Sequence, residues 1–196
     1  MSHLIAFEGL DQSGKETQAL TLRDALRARG RAAEYMTFPD YSTPIGAEIE
    51  RGLHGQRAYG PDVMQLLFVA NRYERSPALK AMLAAGTHVV CDRYAASSVA
   101  YGEAQGLDPA WLEDVQRFLP RAALTLLLDI DPEIAAQRKA AGRDDYERDL
   151  ALLARVRDSY LRQARHAASW VIVDGNRSKE AVAIDVHAAV TALALP

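Results

Sequence analysis

The segment Phe7-Glu8-Gly9-Leu10-Asp11-Gln12-Ser13-Gly14-Lys15-Glu16-Thr17-Gln18 gathers residue types that can hold a polyanion. Gly9 and Gly14 let the backbone turn sharply, so that several N–H groups can converge on one anion. Lys15 supplies a positive charge able to bridge two neighbouring phosphates, and a helix starting here adds the positive end of its dipole. The spacing of Gly9, Gly14 and Lys15 is that of a P-loop. The position after the lysine, where a hydroxyl usually helps hold Mg²⁺, carries Glu16, and Thr17 follows. Alone, the segment would also suit a glycine-rich turn with a solvated lysine. The strand and helix patterns on either side favour the cradle.

Three further segments carry groups suited to a second nucleotide. Thr37-Phe38-Pro39-Asp40-Tyr41-Ser42-Thr43-Pro44 is the first. In Leu66-Leu67-Phe68-Val69-Ala70-Asn71-Arg72, Phe68 and Arg72 stand at i and i+4 and share a helix face. An aromatic plane beside a guanidinium can stack on a base and donate to its carbonyl. By itself the pair reads more simply as a core phenylalanine beside a surface arginine. In Cys91-Asp92-Arg93-Tyr94-Ala95-Ala96-Ser97-Ser98-Val99-Ala100-Tyr101, Asp92 ends an apolar run, where a carboxylate can hold the waters of Mg²⁺. Arg93 can clamp a phosphate with two parallel hydrogen bonds. A strand-end salt bridge accounts for this segment equally well when it is read alone.

These groups need a scaffold that brings loops from several places to one edge. Short apolar runs at Leu4 to Phe7, Ala33 to Phe38, His88 to Cys91, Leu124 to Asp129 and Trp170 to Asp174 read as five strands. Helical patterns separate them: Thr17 to Arg29, Pro44 to Arg51, Pro61 to Ala85 with a kink or break near Pro77, Ser97 to Gln105, and Pro109 to Phe118. Further helices are predicted from Pro132, from Tyr146 to Ala167, and from Ser178 to Leu193. Alternation of this kind predicts an α/β, P-loop NTPase-like fold, with a five-stranded parallel sheet covered by helices on both faces. Ligands in such folds bind at the carboxyl ends of the strands. With 196 residues, one domain over 1–196 is expected.

Composition narrows the classes. Net charge is −3, from 23 basic and 26 acidic residues, which gives no overall basic surface for nucleic acid. The lone Cys91 permits no internal disulfide, reads as a small buried hydrophobe, and fits a cytoplasmic chain. No apolar run nears the ~20 residues of a membrane span, so no membrane partner is expected.

Taken together, the run Gly-Leu-Asp-x-x-Gly-Lys-x-Thr-Gln, the run Leu-Leu-Phe-x-Ala-Asn-Arg, Asp-Arg-Tyr followed by Ser and Val-Ala-Tyr, and Leu128-Asp129-Ile130-Asp131-Pro132-Glu133 resemble the thymidylate kinases. These belong to the nucleoside monophosphate kinases, and the likeness runs from Leu4 to about Ala188. The resemblance implies transfer of the γ-phosphoryl group of ATP to dTMP, with Mg²⁺, in a protein that is commonly a homodimer. Gly9 through Gln18 would hold ATP, with Arg138 packing on adenine. Asp11 would contact the acceptor's 3′-hydroxyl, and Phe38 and Pro39 would line its pocket. Phe68 would stack on thymine, Arg72 would reach O4, and Arg93 would bind the acceptor phosphate. Ser97, Ser98 and Tyr101 would surround base and sugar, with Tyr101 favouring deoxyribose. Asp92, together with Glu16, would organise the metal.

Between about 138 and 149 the stretch Arg138-Lys139-Ala140-Ala141-Gly142-Arg143-Asp144-Asp145-Tyr146-Glu147-Arg148 reads as a mobile lid; the resemblance implies that Tyr146 binds the acceptor, while Glu147 could face it or cap a helix. The chain departs from its relatives at Glu16, at Asp40-Tyr41 and Gln12, each where some relatives carry arginine, and at Asp145 in the lid. With no charge at Gln12 or Ser13, the positive group that arrives on closure falls to Arg143, with Arg148 as the alternative. Two other readings remain open at this level. One is a kinase acting on dUMP or UMP, and the other is a nucleotide-binding regulator without turnover.

Overall fold

A computed structural model describes residues 2–138, 150–165 and 167–193. Five strands, β1 (Leu4–Glu8), β2 (Ala33–Thr37), β3 (His88–Asp92), β4 (Leu124–Asp129) and β5 (Trp170–Asp174), form one sheet in the order β2-β3-β1-β4-β5. Every pairing is parallel. β1 is buried along its whole length, and so is β4 up to Leu128, because helices cover both faces. That is why these strands read as unbroken apolar runs rather than alternating ones.

The described helices are α1 (Lys15–Ala28), α2 (Pro44–Leu53), α3 (Pro61–Ala84), α4 (Ala95–Ala104), α5 (Pro109–Asp114), α6 (Pro132–Arg138), α7 (Leu150–Arg165) and α8 (Lys179–Ala192). On one face Leu22 and Leu26 of α1 and Val182, Val186 and Val190 of α8 pack on Ile5, Phe7 and Leu126. On the other, Leu153, Val156 and Tyr160 of α7 meet Leu127 and Ile130. Cys91 is fully buried, and burial drives its thiol pKa up.

Two helices differ from the sequence expectation. α3 runs unbroken through Pro77. Leu79, Met82 and Leu83 beyond it pack against Leu4, Val89 and Cys91, and this burial holds the helix despite the lost backbone donor. α5 stops at Asp114, not Phe118. The chain there tightens into i→i+3 turns, with Gln116 N–H on Glu113 and Arg117 N–H on Asp114.

The connections of β1 and β4, neighbours in the sheet, leave in opposite directions, toward β2 and toward β5. A crevice therefore opens above the carboxyl end of β1, where this topology places ligands. The loop after β2 is drawn against this crevice by α2. Thr43 caps α2 by accepting from Gly46 N–H at 3.0 Å. Gly46 lies so close to the loop that a Cβ there would stand 1.8 Å from the Asp40 carbonyl oxygen. Gly46→Ala is expected to cost about 3 kcal/mol, roughly 6–12 °C in Tm for a chain of this length. Thermal denaturation of the variant checks this, and an unchanged Tm would show that the loop yields freely.

Candidate functional site

The cradle forms where β1 hands over to α1. Gly9 has φ +138°, and a Cβ there would lie 2.5 Å from the Leu128 carbonyl oxygen, so the turn packs tightly on β4. Gly14 precedes α1 and no side chain caps the helix, leaving its first N–H groups for an anion. Ser13 Oγ is buried and makes no hydrogen bond within the described chain.

Lys15 is 5% exposed, and its Nζ donates to the Leu10 carbonyl at 2.8 Å. Burial first, then the Arg93 charge, lowers its pKa to about 8, against the opposing pull of Asp11, Asp92 and Glu8. Glu16 is exposed. The Asp92 Oδ1 atom at the end of β3 is buried without a hydrogen-bond partner. Among the described residues no three metal-ligating side chains gather. One orphaned carboxylate beside a phosphate cradle fits Mg²⁺, which keeps several waters and takes its other ligands from substrate phosphates.

Beside the cradle lies a cavity of about 250 Å³ whose walls include Asp11, Phe38, Pro39, Phe68, Arg72, Arg93, Ser97, Ser98 and Tyr101. The structure thus brings together every described residue that the sequence assigned to an acceptor. Phe68 and Arg72 reverse their simplest reading: Phe68 is half-buried in the cavity wall, and Arg72 is only 3% exposed. Arg72 Nη1 donates to Ser98 Oγ at 2.8 Å and to Gln116 Oε1 at 3.2 Å, while its Nε has no hydrogen-bond partner. The Ser97 and Ser98 hydroxyls are therefore engaged by arginines while still lining the wall.

Arg93 adopts a left-handed backbone, φ +62°, at the end of β3. Its Nη2 pairs with Asp11 Oδ1 and donates to Tyr101 Oη at 3.2 Å. Burial opposes its charge, but Asp11, Tyr101, Tyr160 and Asp92 outweigh it and hold the guanidinium firmly protonated. Arg138 donates to the Gln12 carbonyl at 3.2 Å and the Gly175 carbonyl at 3.1 Å, joining the cradle to the turn after β5. Asp40 is paired with Arg75 at 3.0 Å. Asn71 ties the same loop down through Asp40 N–H and Thr43 Oγ1, both at 2.8 Å. Gly142, Arg143, Asp145, Tyr146, Glu147 and Arg148 lie outside the described residues.

Glu8, Gln65, Gln116 and Tyr160 join the site without having been singled out. Glu8 and Gln65 carried a usable sign, a polar group within or ending a buried apolar pattern. Neither amide atom of Gln65 has a hydrogen-bond partner within the described chain, although the residue is 1% exposed. Gln116 meets Arg72 across 44 positions, which no local pattern reveals.

The sequence model of the family described as Thymidylate kinase matches residues 7–186. A thymidylate kinase of Schizosaccharomyces pombe is 35% identical over 194 residues, covering 97% of this chain and 90% of that protein. One of Homo sapiens is 35% identical over 185 residues, covering 94% and 87%. The solved structure of a Candida albicans thymidylate kinase, described for its broad substrate specificity and a novel structural element, superposes with a TM-score of 0.84 at 30% identity, covering 97% of this chain and 92% of that one.

The Lys15 surroundings make a prediction. The pH profile of kcat/KM reports groups of the free enzyme. If the charged lysine holds phosphate, kcat/KM for ATP should fall as pH rises through about 8. A profile flat to pH 9.5 would show that this lysine stays protonated.

Proposed function

This chain belongs to the thymidylate kinase family and phosphorylates dTMP to dTDP, and on that premise we propose how its residues divide the work. The observation that carries the reading is the junction of cradle and cavity through the Asp11–Arg93 pair. Two phosphates brought to one junction suit direct transfer between nucleotides. In the family this transfer starts from ATP.

Lys15 and the first turn of α1 hold the donor phosphates, with Arg138 beside the nucleoside. Arg93 clamps the acceptor phosphate, and Asp11 both orients Arg93 and meets the sugar's 3′-hydroxyl. Phe68 stacks on thymine and the Arg72 guanidinium reaches O4. Cytosine would set an amino donor against that guanidinium, and an unmatched donor pair in a buried pocket is strongly rejected. Tyr101 crowds the 2′ side. Asp92, with Glu16, would hold Mg²⁺ through its waters, and the ion would neutralise charge on the phosphates. Catalysis in this scheme is positioning plus charge neutralisation.

Residues 1–196 form one kinase domain in this reading, with a lid at 138–149. Arg143 brings the closing charge, Arg148 is its alternative, and Tyr146 faces the acceptor. We further propose a cytoplasmic homodimer joined through α3, on which Val63 and Leu66 are exposed. Its mass in solution checks this. Retention of Lys15, Asp92 and Arg93 in one junction supports turnover over a purely regulatory role.

Two measurements test the scheme. In a coupled assay kcat/KM for dTMP should exceed that for dCMP and UMP by about a hundredfold or more. Turnover of UMP above dTMP would overturn the role given to Tyr101. Asp92→Asn should raise the Mg²⁺ concentration needed for half-maximal rate about tenfold, as expected when a carboxylate that orders metal ligands is lost. In the same series Glu16→Ser should shift it less, and Arg143→Ala should lower kcat while sparing dTMP affinity. An unshifted Mg²⁺ titration for Asp92→Asn would remove this residue from the metal site.

A further inference from the structure

Glu8 closes β1 with its side chain completely buried, and nothing in the reaction scheme uses it. Its two carboxylate oxygens do different things. Oε1 accepts the backbone N–H of Tyr94 at 2.8 Å. Oε2 accepts the hydroxyls of Ser97 at 2.6 Å and Tyr160 at 3.0 Å. Those same two hydroxyl oxygens accept from Arg93 Nη1, at 3.1 and 3.3 Å.

Glu8 therefore grips Arg93 twice. Through Tyr94 N–H it fixes the peptide immediately after the left-handed residue, a conformation that costs a non-glycine residue about 1 kcal/mol or more. Arg93 N–H on the Phe7 carbonyl, at 2.9 Å, secures the preceding side. Through the two hydroxyls Glu8 fixes the guanidinium. Arg93 N–H groups donate to both hydroxyl oxygens, Glu8 Oε2 accepts from the hydroxyls, and the two hydroxyls also lie within 2.9 Å of each other. Only an acceptor-only group at position 8 satisfies both hydroxyls and the Tyr94 N–H at once. Tyr160 reaches the relay from α7 and is itself buried, its phenol pKa pushed well up by burial and then by the Glu8 charge.

We propose that Glu8 and Tyr160 are positioning residues that aim Arg93 at the acceptor phosphate, so that they set the discrimination between a nucleotide and the nucleoside lacking that phosphate. This rests on the acceptor-phosphate role given to Arg93 above. Glu8→Gln keeps the shape but breaks the donor sense. Whichever way the amide turns, its NH₂ group faces either the Tyr94 N–H or two hydroxyls already receiving Arg93. Tyr160→Phe removes one hydroxyl and nothing else.

The test compares the dissociation constants of dTMP and thymidine for the unsubstituted protein, Arg93→Ala, Glu8→Gln and Tyr160→Phe. Glu8→Gln should weaken dTMP about tenfold, and Tyr160→Phe roughly fivefold, the range for a buried group left unmatched or a hydrogen bond removed. Thymidine affinity and KM for ATP should stay within about twofold, as neither places a phosphate on Arg93. A purely structural role would weaken dTMP and thymidine alike, and that result overturns the proposal. If Arg93→Ala collapses the preference for dTMP over thymidine but the other two variants keep it, the relay does not position Arg93. If Arg93→Ala itself keeps the preference, the underlying assignment of Arg93 fails instead. Should Glu8→Gln not fold, Tyr160→Phe decides alone.

Discussion

The Asp11–Arg93 ion pair joins two parts of the chain separated by 82 positions, the phosphate cradle after β1 and the turn after β3. These strands are neighbours in the sheet, with Phe7 opposite Asp92, so the sheet register itself brings the two turns side by side. Everything at the junction depends on that adjacency. The lysine of one turn and the arginine of the other are near enough to lower the lysine's proton affinity, and Asp11 lies between them as the shared counter-charge. Without the carboxylate, two buried cations would face each other in a low-dielectric crevice, a costly arrangement.

Arg72 solves a related problem with no carboxylate among its hydrogen-bond partners, the Glu8 charge supporting it through space. It is buried, and burial lowers its pKa to about 10, which still leaves it charged at neutral pH. Its hydrogen bonds go to the neutral oxygens of Ser98 and Gln116. A neutral base is read best by a cation whose charge is not already cancelled by a neighbouring anion. On the roles proposed above, the two arginines receive different companions: a carboxylate where a charged phosphate would be gripped, and uncharged oxygens where a carbonyl would be recognised.

The inner strands β1, β3 and β4 were legible because each is a short apolar run buried on both faces, so that hydrophobicity alone marks it. The edge strands β2 and β5 are partly exposed and were marked by their place between helical patterns. The cradle was legible because its chemistry lies within one contiguous turn. The Phe68–Arg72 pair was read correctly as one face but not as to which member is buried, because helical spacing cannot say what lies opposite. Ser98 and Gln116, which make burial of Arg72 tolerable, come from α4 and from the turn after α5. Pro77 suggested a kink or a break in α3, yet the helix continues through it, held by the packing of Leu79. Glu8 offered a sign, a polar group ending an apolar strand, but the same sign fits a solvated boundary until its three partners are seen.

Lys15 rests on the Leu10 carbonyl in surroundings that make its ammonium form harder to hold than in water. A triphosphate brought beside it would reverse that preference. Occupation of the cradle and capture of a proton are then one linked event on the alkaline side of neutrality. The heat of nucleotide association would carry the ionisation enthalpy of whichever buffer surrenders the proton. Heats compared across buffers, and affinities compared across pH, would differ for a reason lying in one buried amine.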